Sequence, residues 1–171
     1  MNPFITILLG LLLLVSCQHV PANKEETKKN QATNKPIAVP TSLSSLFTPD
    51  AGVLRGIDFS STKTSIQSKE TVSAVNDTRN RNNLKYSVDL NETDFADITY
   101  YFGGETLQKI QVDVFTEETS AADQLFNEIT NFFNKKYKVR KSIWEGSENG
   151  KSYTIYAKQL KSGLYIVYEP I

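Results

Sequence analysis

The middle of the chain has the apolar pattern of an antiparallel β-sheet. Apolar residues alternate with polar ones in three successive runs, which begin at Leu84, Ala96 and Ile110. Alternation places every second side chain on the same face, so each run predicts a half-buried strand. Gly103-Gly104 separates the second and third runs and supplies the positive φ of a tight hairpin. Because the connections are short, we predict a three-stranded meander with one face exposed to water.

The next segment changes to the period of a helix. Its apolar residues recur every three or four positions: Ala122, Leu125, Phe126, Ile129, Phe132, Phe133 and Tyr137. This spacing places them on one stripe of an amphipathic α-helix. Ser120 and Asp123 have the spacing of a capping box at its start. Lys135 and Lys136 lie near its end, where positive charge is favourable.

Similar elements flank these two features. A short helix is predicted before the meander, with N-cap candidates at residues 60–62. After the long helix, alternation returns in strands over 141–145, 152–159 and 164–169, with an Asn149-Gly150 turn after the first. The order is helix, three strands, helix, three strands. We therefore predict an α+β domain of two α-βββ units, with the helices on one face of an antiparallel sheet.

This order resembles the β-lactamase-inhibitor-protein and SmpA-like folds, which are small bacterial envelope modules with helices on one face of a sheet. Gly56 and Ser60, which lead into the short helix, belong to the resemblance. The likeness is one of topology. It implies a fold and no particular function, because one fold can serve many functions.

The first residues of the chain have a different pattern. Residues 4–15 are apolar except for Thr6 and Gly10. As a helix this run would span about 18 Å, whereas the hydrocarbon core of a bilayer is about 30 Å thick. It is too short to remain as a membrane helix and has the length of the apolar region of a signal peptide.

Leu14-Val15-Ser16-Cys17 ends this run and resembles the lipobox of bacterial lipoproteins. The resemblance implies cleavage between Ser16 and Cys17, thioether lipidation of Cys17, and acylation of the new amino terminus, for example by palmitate. Two or three acyl chains hold a protein on a bilayer, so membrane lipid is a predicted partner. Gln18 after the cysteine implies the outer membrane. An ordinary signal peptide with an unrelated cysteine is the alternative, since no Lys or Arg precedes the apolar run.

The rest of the chain consists of two segments that differ in amino-acid composition. Residues 17–45 are rich in Lys, Asn, Thr, Gln and Pro, and such a segment buries too little apolar surface to fold. Residues 46–171 hold every tyrosine and the single tryptophan, and are long enough to form a core. We predict a lipoprotein signal peptide over 1–16, a lipidated cysteine and disordered tether over 17–45, and a globular domain over 46–171.

The predicted domain contains neither His nor Cys. Ser-His and Cys-His nucleophile pairs and zinc sites bound by His or thiolate are therefore excluded there. We predict no cofactor and no metal site. The acidic segment 89–97 has oxygen ligands but lacks the glycine and distal glutamate of a calcium-binding EF-hand loop, so a solvated turn is preferred. Nucleic acid is not a predicted partner, because the exported chain has a net charge of zero.

Exposed aromatic residues are the remaining indication of function. Tyr101, Tyr156 and Tyr165 lie on strand faces opposite some of the apolar positions. If they share one open face, that face is a candidate binding surface; if a loop covers them, they belong to the core. The basic stretch 135–141 is either a contact for lipid headgroups or an acidic partner, or a solvated helix end.

The leading hypothesis is a non-enzymatic envelope lipoprotein whose α+β module binds another envelope protein or helps to assemble one. The alternative is a tethered binder of a small ligand or glycan, which would use the tyrosine-rich sheet face. A hydrolase with paired carboxylates ranks third.

Cys17→Ser removes the thiol that the lipobox resemblance marks for lipidation. We expect the variant to leave the membrane fraction, because it cannot carry the acyl chains that anchor it. Mass spectrometry of the amino-terminal peptide and cell fractionation measure the two effects. His19→Ser, which leaves the lipobox intact, should stay at the membrane. A natural protein with an unmodified amino terminus would refute the prediction.

Overall fold

The computed structural model describes residues 37–48, 51–72, 74–75 and 82–171. These residues form an α+β unit with two α-helices and a seven-stranded antiparallel sheet. The predicted signal peptide and most of the predicted tether lie outside the described residues. Leu43, which lies inside the range predicted as tether, is fully buried in the core.

The elements follow the predicted order, with one added strand. In chain order they are a 3-10 turn at Thr41–Leu43, α1 at Lys63–Lys69, β1 at Asn83–Asp89, β2 at Phe95–Gly103, β3 at Thr106–Phe115, α2 at Thr119–Lys136, β4 at Lys138–Arg140, β5 at Ile143–Glu148, β6 at Lys151–Leu160 and β7 at Gly163–Pro170. The meander of β1, β2 and β3 is confirmed. The second group has four strands where three were predicted, because the short β4 turns back onto β5 at Lys141, which has a φ of 56°.

The strand order across the sheet is β1-β2-β3-β7-β6-β5-β4. The two groups of strands meet where β3 pairs with β7, from Ile110 opposite Tyr168 to Phe115 opposite Gly163. A Cβ on Gly163 would lie 1.9 Å from the Val114 carbonyl oxygen. Since Gly163 also has a φ of 151°, this end of the pairing requires glycine.

The two helices begin in different ways. The Thr62 side chain accepts a hydrogen bond from the Ser65 amide at 3.2 Å, so one of the predicted N-caps of α1 is confirmed. The predicted capping box of α2 is wrong, since Glu118 occupies the N-cap position without a side-chain cap bond. Ser120 donates to the Glu118 carboxylate, and Asp123 accepts a hydrogen bond from Gln159 on β6. Asp123 therefore links α2 to the sheet.

Phe133 on α2 lies at the centre of the aromatic core. Its ring centroid is 5.3 Å from that of Trp144 and 5.6 Å from that of Phe47, both in edge-to-face geometry. The Trp144 indole donates to Asn134 at 2.8 Å, which satisfies its N–H group. Ile66 of α1 belongs to the same buried cluster as α2 and the sheet. Both helices therefore contribute to the core on one face of the sheet, as predicted.

A polar network is buried in this core. The Arg55 guanidinium pairs with the Glu70 carboxylate at 3.0 Å, and their side chains are only 9% and 1% exposed. The Tyr100 hydroxyl also donates to Glu70, and Arg55 donates to the Ser45 carbonyl. The Tyr168 hydroxyl, in contrast, is fully buried and has no hydrogen-bond partner among the described residues.

Tyr100→Phe and Tyr168→Phe both remove one buried hydroxyl, and we expect opposite effects. Tyr100→Phe should lower the free energy of unfolding by about 1.5–3 kcal/mol, because Glu70 loses a donor. Tyr168→Phe should be neutral or raise it by up to about 1 kcal/mol, because no hydrogen bond is lost. Urea unfolding followed by Trp144 fluorescence measures both. A loss for Tyr168→Phe as large as that for Tyr100→Phe would contradict the assignment.

We also expect stability to fall at alkaline pH. Burial raises the pKa of Tyr100 and of Tyr168 well above the ordinary value. In the unfolded chain both ionise near pH 10, so the stabilisation is complete below about pH 10 and is lost as the pH rises further. The urea midpoint between pH 9 and 11 measures the decline. The decline should be less steep in Tyr168→Phe than in the wild type; equal slopes in the two proteins would refute the explanation.

Candidate functional site: the open face of the sheet

The two faces of the sheet are covered unequally. On one face α2 and the segments before β1 bury side chains such as Ile98, Ile155 and Ile166. The other face, which we call the open face, carries the alternate residues of each strand. On this face Tyr156 is 42% exposed, Tyr101 and Tyr165 are half-buried, and the smaller Thr99 and Val167 are buried between their neighbours. The described segments therefore leave this face accessible.

The three tyrosines predicted as a binding surface lie together on the open face. Tyr101 is opposite Lys109, Tyr165 is opposite Asp113, and Tyr156 is opposite Val167, which is on the same face as Tyr165. Partial burial raises the pKa of Tyr165, and the charge of Asp113 and the other two tyrosines contribute to the same shift. The role of the three tyrosines in binding stays a prediction.

Hydrogen bonds hold the polar groups between these tyrosines in fixed positions. The Tyr101 hydroxyl donates to Gln111 at 3.2 Å, and the Gln111 amide donates to Asp113 at 2.9 Å. The Lys109 ammonium lies 3.9 Å from the centroid of the Tyr101 ring, a cation–π distance. Groups oriented before binding lose less entropy when a partner arrives, so this row is suited to recognition.

An apolar row that the alternation did not predict lies beside the tyrosines. The rings of Phe95 and Phe115 stack with centroids 4.8 Å apart, and they are 38% and 42% exposed. Phe115 is opposite Gly163, and Gly163 is opposite Leu160, which is 46% exposed. Both phenylalanines stand at strand positions that the alternation assigns to the exposed face. A large apolar residue at a position that the alternation assigns to the exposed face is the sequence feature that could have identified this row.

Other charged segments have structural roles or remain at the surface. Asp94, in the acidic segment predicted as a solvated turn, is buried and accepts hydrogen bonds from the Glu117 amide at 3.1 Å and from Asn91 at 2.9 Å. It ties the β1–β2 turn to the start of α2, so the prediction of a solvated turn is wrong for this residue. Within the described ranges no group of three or more His, Cys, Asp or Glu side chains could hold a metal ion.

The predicted lipidation and cleavage sites, Cys17 and Ser16, lie outside the described residues. In the described part of the chain no helix is both long enough and apolar enough to cross a membrane. No known protein family, curated protein or solved structure matches the chain.

Proposed function

We propose that the chain is a membrane-tethered, non-enzymatic binding module of the bacterial envelope, and that its open face recognises a protein partner. The observation that carries this proposal is the open face itself, where an apolar row of Phe95, Phe115 and Leu160 adjoins the tyrosine row. Contiguous exposed aromatic residues are typical of protein-binding surfaces, because large rings remove much apolar area from water on binding.

The shape of the surface favours a protein over a small molecule. Small ligands usually bind in concave sites that bury most of their surface, whereas a sheet face offers a broad surface without deep walls. Protein interfaces combine an apolar centre with a polar rim. Phe115 and Leu160 supply apolar groups, and Gln111, Asp113 and Lys158 supply polar groups nearby on the same face.

The predicted tether supports the same role. A lipid anchor at Cys17, followed by about 20 flexible residues before the first described residue, Ile37, would give the domain an r.m.s. reach of about 25 Å from the membrane. Confinement to that layer raises the effective concentration of the domain for any partner in the same envelope compartment. We place the anchor in the outer membrane, on the basis of Gln18. An anchored domain with one accessible face would bind or assemble a neighbouring envelope protein.

A glycan or other small ligand on the same face is the second candidate. The observation that favours it is the position of the Tyr101 ring beside Gln111 and Asp113, whose hydrogen bonds orient both polar groups. An aromatic face next to fixed donors and acceptors suits a ring with several hydroxyl groups.

Site-specific photocrosslinking in intact cells tests the proposal. We expect a photoreactive residue at Tyr156 or Tyr165 to capture a discrete protein partner, because these positions lie on the open face. The same residue at Lys135, which is exposed on α2, should capture none. Equal capture from both positions, or none from either, would refute a protein partner at the open face.

A second variant shows whether the apolar row contributes to binding. Phe115→Asp should reduce capture at Tyr156 at least about tenfold, because central aromatic residues dominate interface energies. The matched change Lys135→Asp should leave capture unchanged. If no protein is captured and a glycan instead shifts the Tyr101 and Gln111 resonances in NMR spectra, the second candidate is favoured.

A further inference from the structure

A cleft of about 420 Å³ lies at the end of the sheet formed by β4 and β5. It is bounded by the last turn of α2, by β5 and by the turn at Gly52. The volume falls in the range of small-molecule sites, which is about 300–1,000 Å³. The tyrosines of the open face do not line it. The cleft is therefore a separate candidate site.

Gly146 and Tyr153 form one wall of this cleft. They are opposite each other on β5 and β6, and a Cβ on Gly146 would lie 2.5 Å from the Tyr153 ring. Only glycine allows that ring to lie across β5 and to bring its hydroxyl to the cleft. The Tyr137 ring packs edge-on against the Tyr153 ring, with centroids 6.3 Å apart. Both tyrosines line the cleft, and each carries an O–H group that can donate a hydrogen bond.

The carboxylates in the cleft already accept hydrogen bonds. Glu145 accepts from Arg140 at 3.0 Å, and Glu148 accepts from the Gly52 amide at 3.3 Å. These bonds hold the acidic side chains against the protein. The Glu145 and Glu148 carboxylates therefore have fewer free lone pairs with which to accept hydrogen bonds from a ligand.

The Lys136 ammonium, in contrast, has no hydrogen-bond acceptor among the described residues. It lies 5.2 Å from the centroid of the Tyr137 ring and 5.5 Å from that of the Phe132 ring. Desolvation lowers the pKa of Lys136, while the charge of Glu148 opposes that shift. Two aromatic rings therefore position the exposed Lys136 cation at the cleft, and no acceptor among the described residues pairs with it. A negatively charged acceptor on a ligand would complement this cation.

We propose that this cleft binds a small organic carboxylate. The Lys136 ammonium pairs with the carboxylate through a charge-assisted hydrogen bond. The Tyr153 hydroxyl, which lines the cleft, donates to a second oxygen of the ligand. The carboxylate of an acidic sugar and the carboxyl terminus of a short peptide share this chemistry. The proposal is independent of the open face and of the membrane anchor.

NMR titration of the full-length chain with matched probes tests the proposal. Glucuronate is paired with glucose, and tri-alanine is paired with its carboxyl-terminal amide. We expect at least one carboxylate to shift the amide resonances of Gly146 and Gly52, which line the cleft, while its neutral partner does not. The probe that binds identifies the acidic sugar or the peptide terminus as the source. No shift from either carboxylate at roughly 10 mM, a weak-binding limit, would overturn the proposal.

Two lysine variants assign the binding to the cleft. Lys136→Met should weaken carboxylate binding at least about tenfold, because it removes the charged donor but keeps the length of the side chain. Lys135→Met removes the neighbouring charge on the same turn of α2 and should bind as the wild type does. Tyr153→Phe should also weaken binding. Equal affinity of Lys136→Met and the wild type, with unchanged thermal unfolding, would refute the assignment.

Discussion

The pairing of β3 with β7 is the constraint on which the rest of the structure depends. Without it, the described residues would form a three-stranded meander and a separate four-stranded group, each with one more unpaired edge. The pairing requires a residue without a side chain at Gly163, because a Cβ there would collide with the Val114 carbonyl oxygen. The same contact aligns Phe115 with Leu160 across the glycine. The pairing of β3 with β7 thus unites the sheet and makes the open face continuous.

The two faces of the sheet differ because only one of them packs against α2 and the other segments of the core. The core side holds most of the aromatic contacts, centred on Phe133, and also encloses the Arg55–Glu70 pair. A buried ion pair contributes little net stability, but the loss of one partner leaves a costly uncompensated charge. The domain thus depends on apolar packing at α2 for its stability. Side chains on the open face do not take part in that packing.

The alternation of apolar residues was enough to predict the main strands, and the apolar stripe was enough to predict α2. Local patterns of this kind report which side chains are buried. They do not report which distant strands pair, so the contact of β3 with β7 was not predicted. The strand β4 has three exposed residues and therefore no periodic signal. The capping box failed because Asp123 binds Gln159, which is distant in sequence.

The candidate sites were predictable to different degrees. Tyr101, Tyr156 and Tyr165 could be placed on one face by counting positions along strands. Phe95 and Phe115 were missed because each lay just outside the alternating run that predicted its strand, and Phe95 was assigned to the acidic turn. The cleft could not be predicted, because it depends on how close Gly146 comes to the Tyr153 ring. That distance is set by a pairing between two strands and has no counterpart in a local pattern.

Both edges of the sheet have features that oppose lateral growth. At one edge, β4 is only three residues long and carries Lys138 and Arg140, which are exposed. At the other edge, the Val75 amide donates to the Lys85 carbonyl at 2.8 Å and occupies part of the backbone of β1. Short, charged or covered edges discourage strand addition by another chain. Two molecules that meet side by side therefore cannot readily merge into a larger sheet, even when they are crowded together.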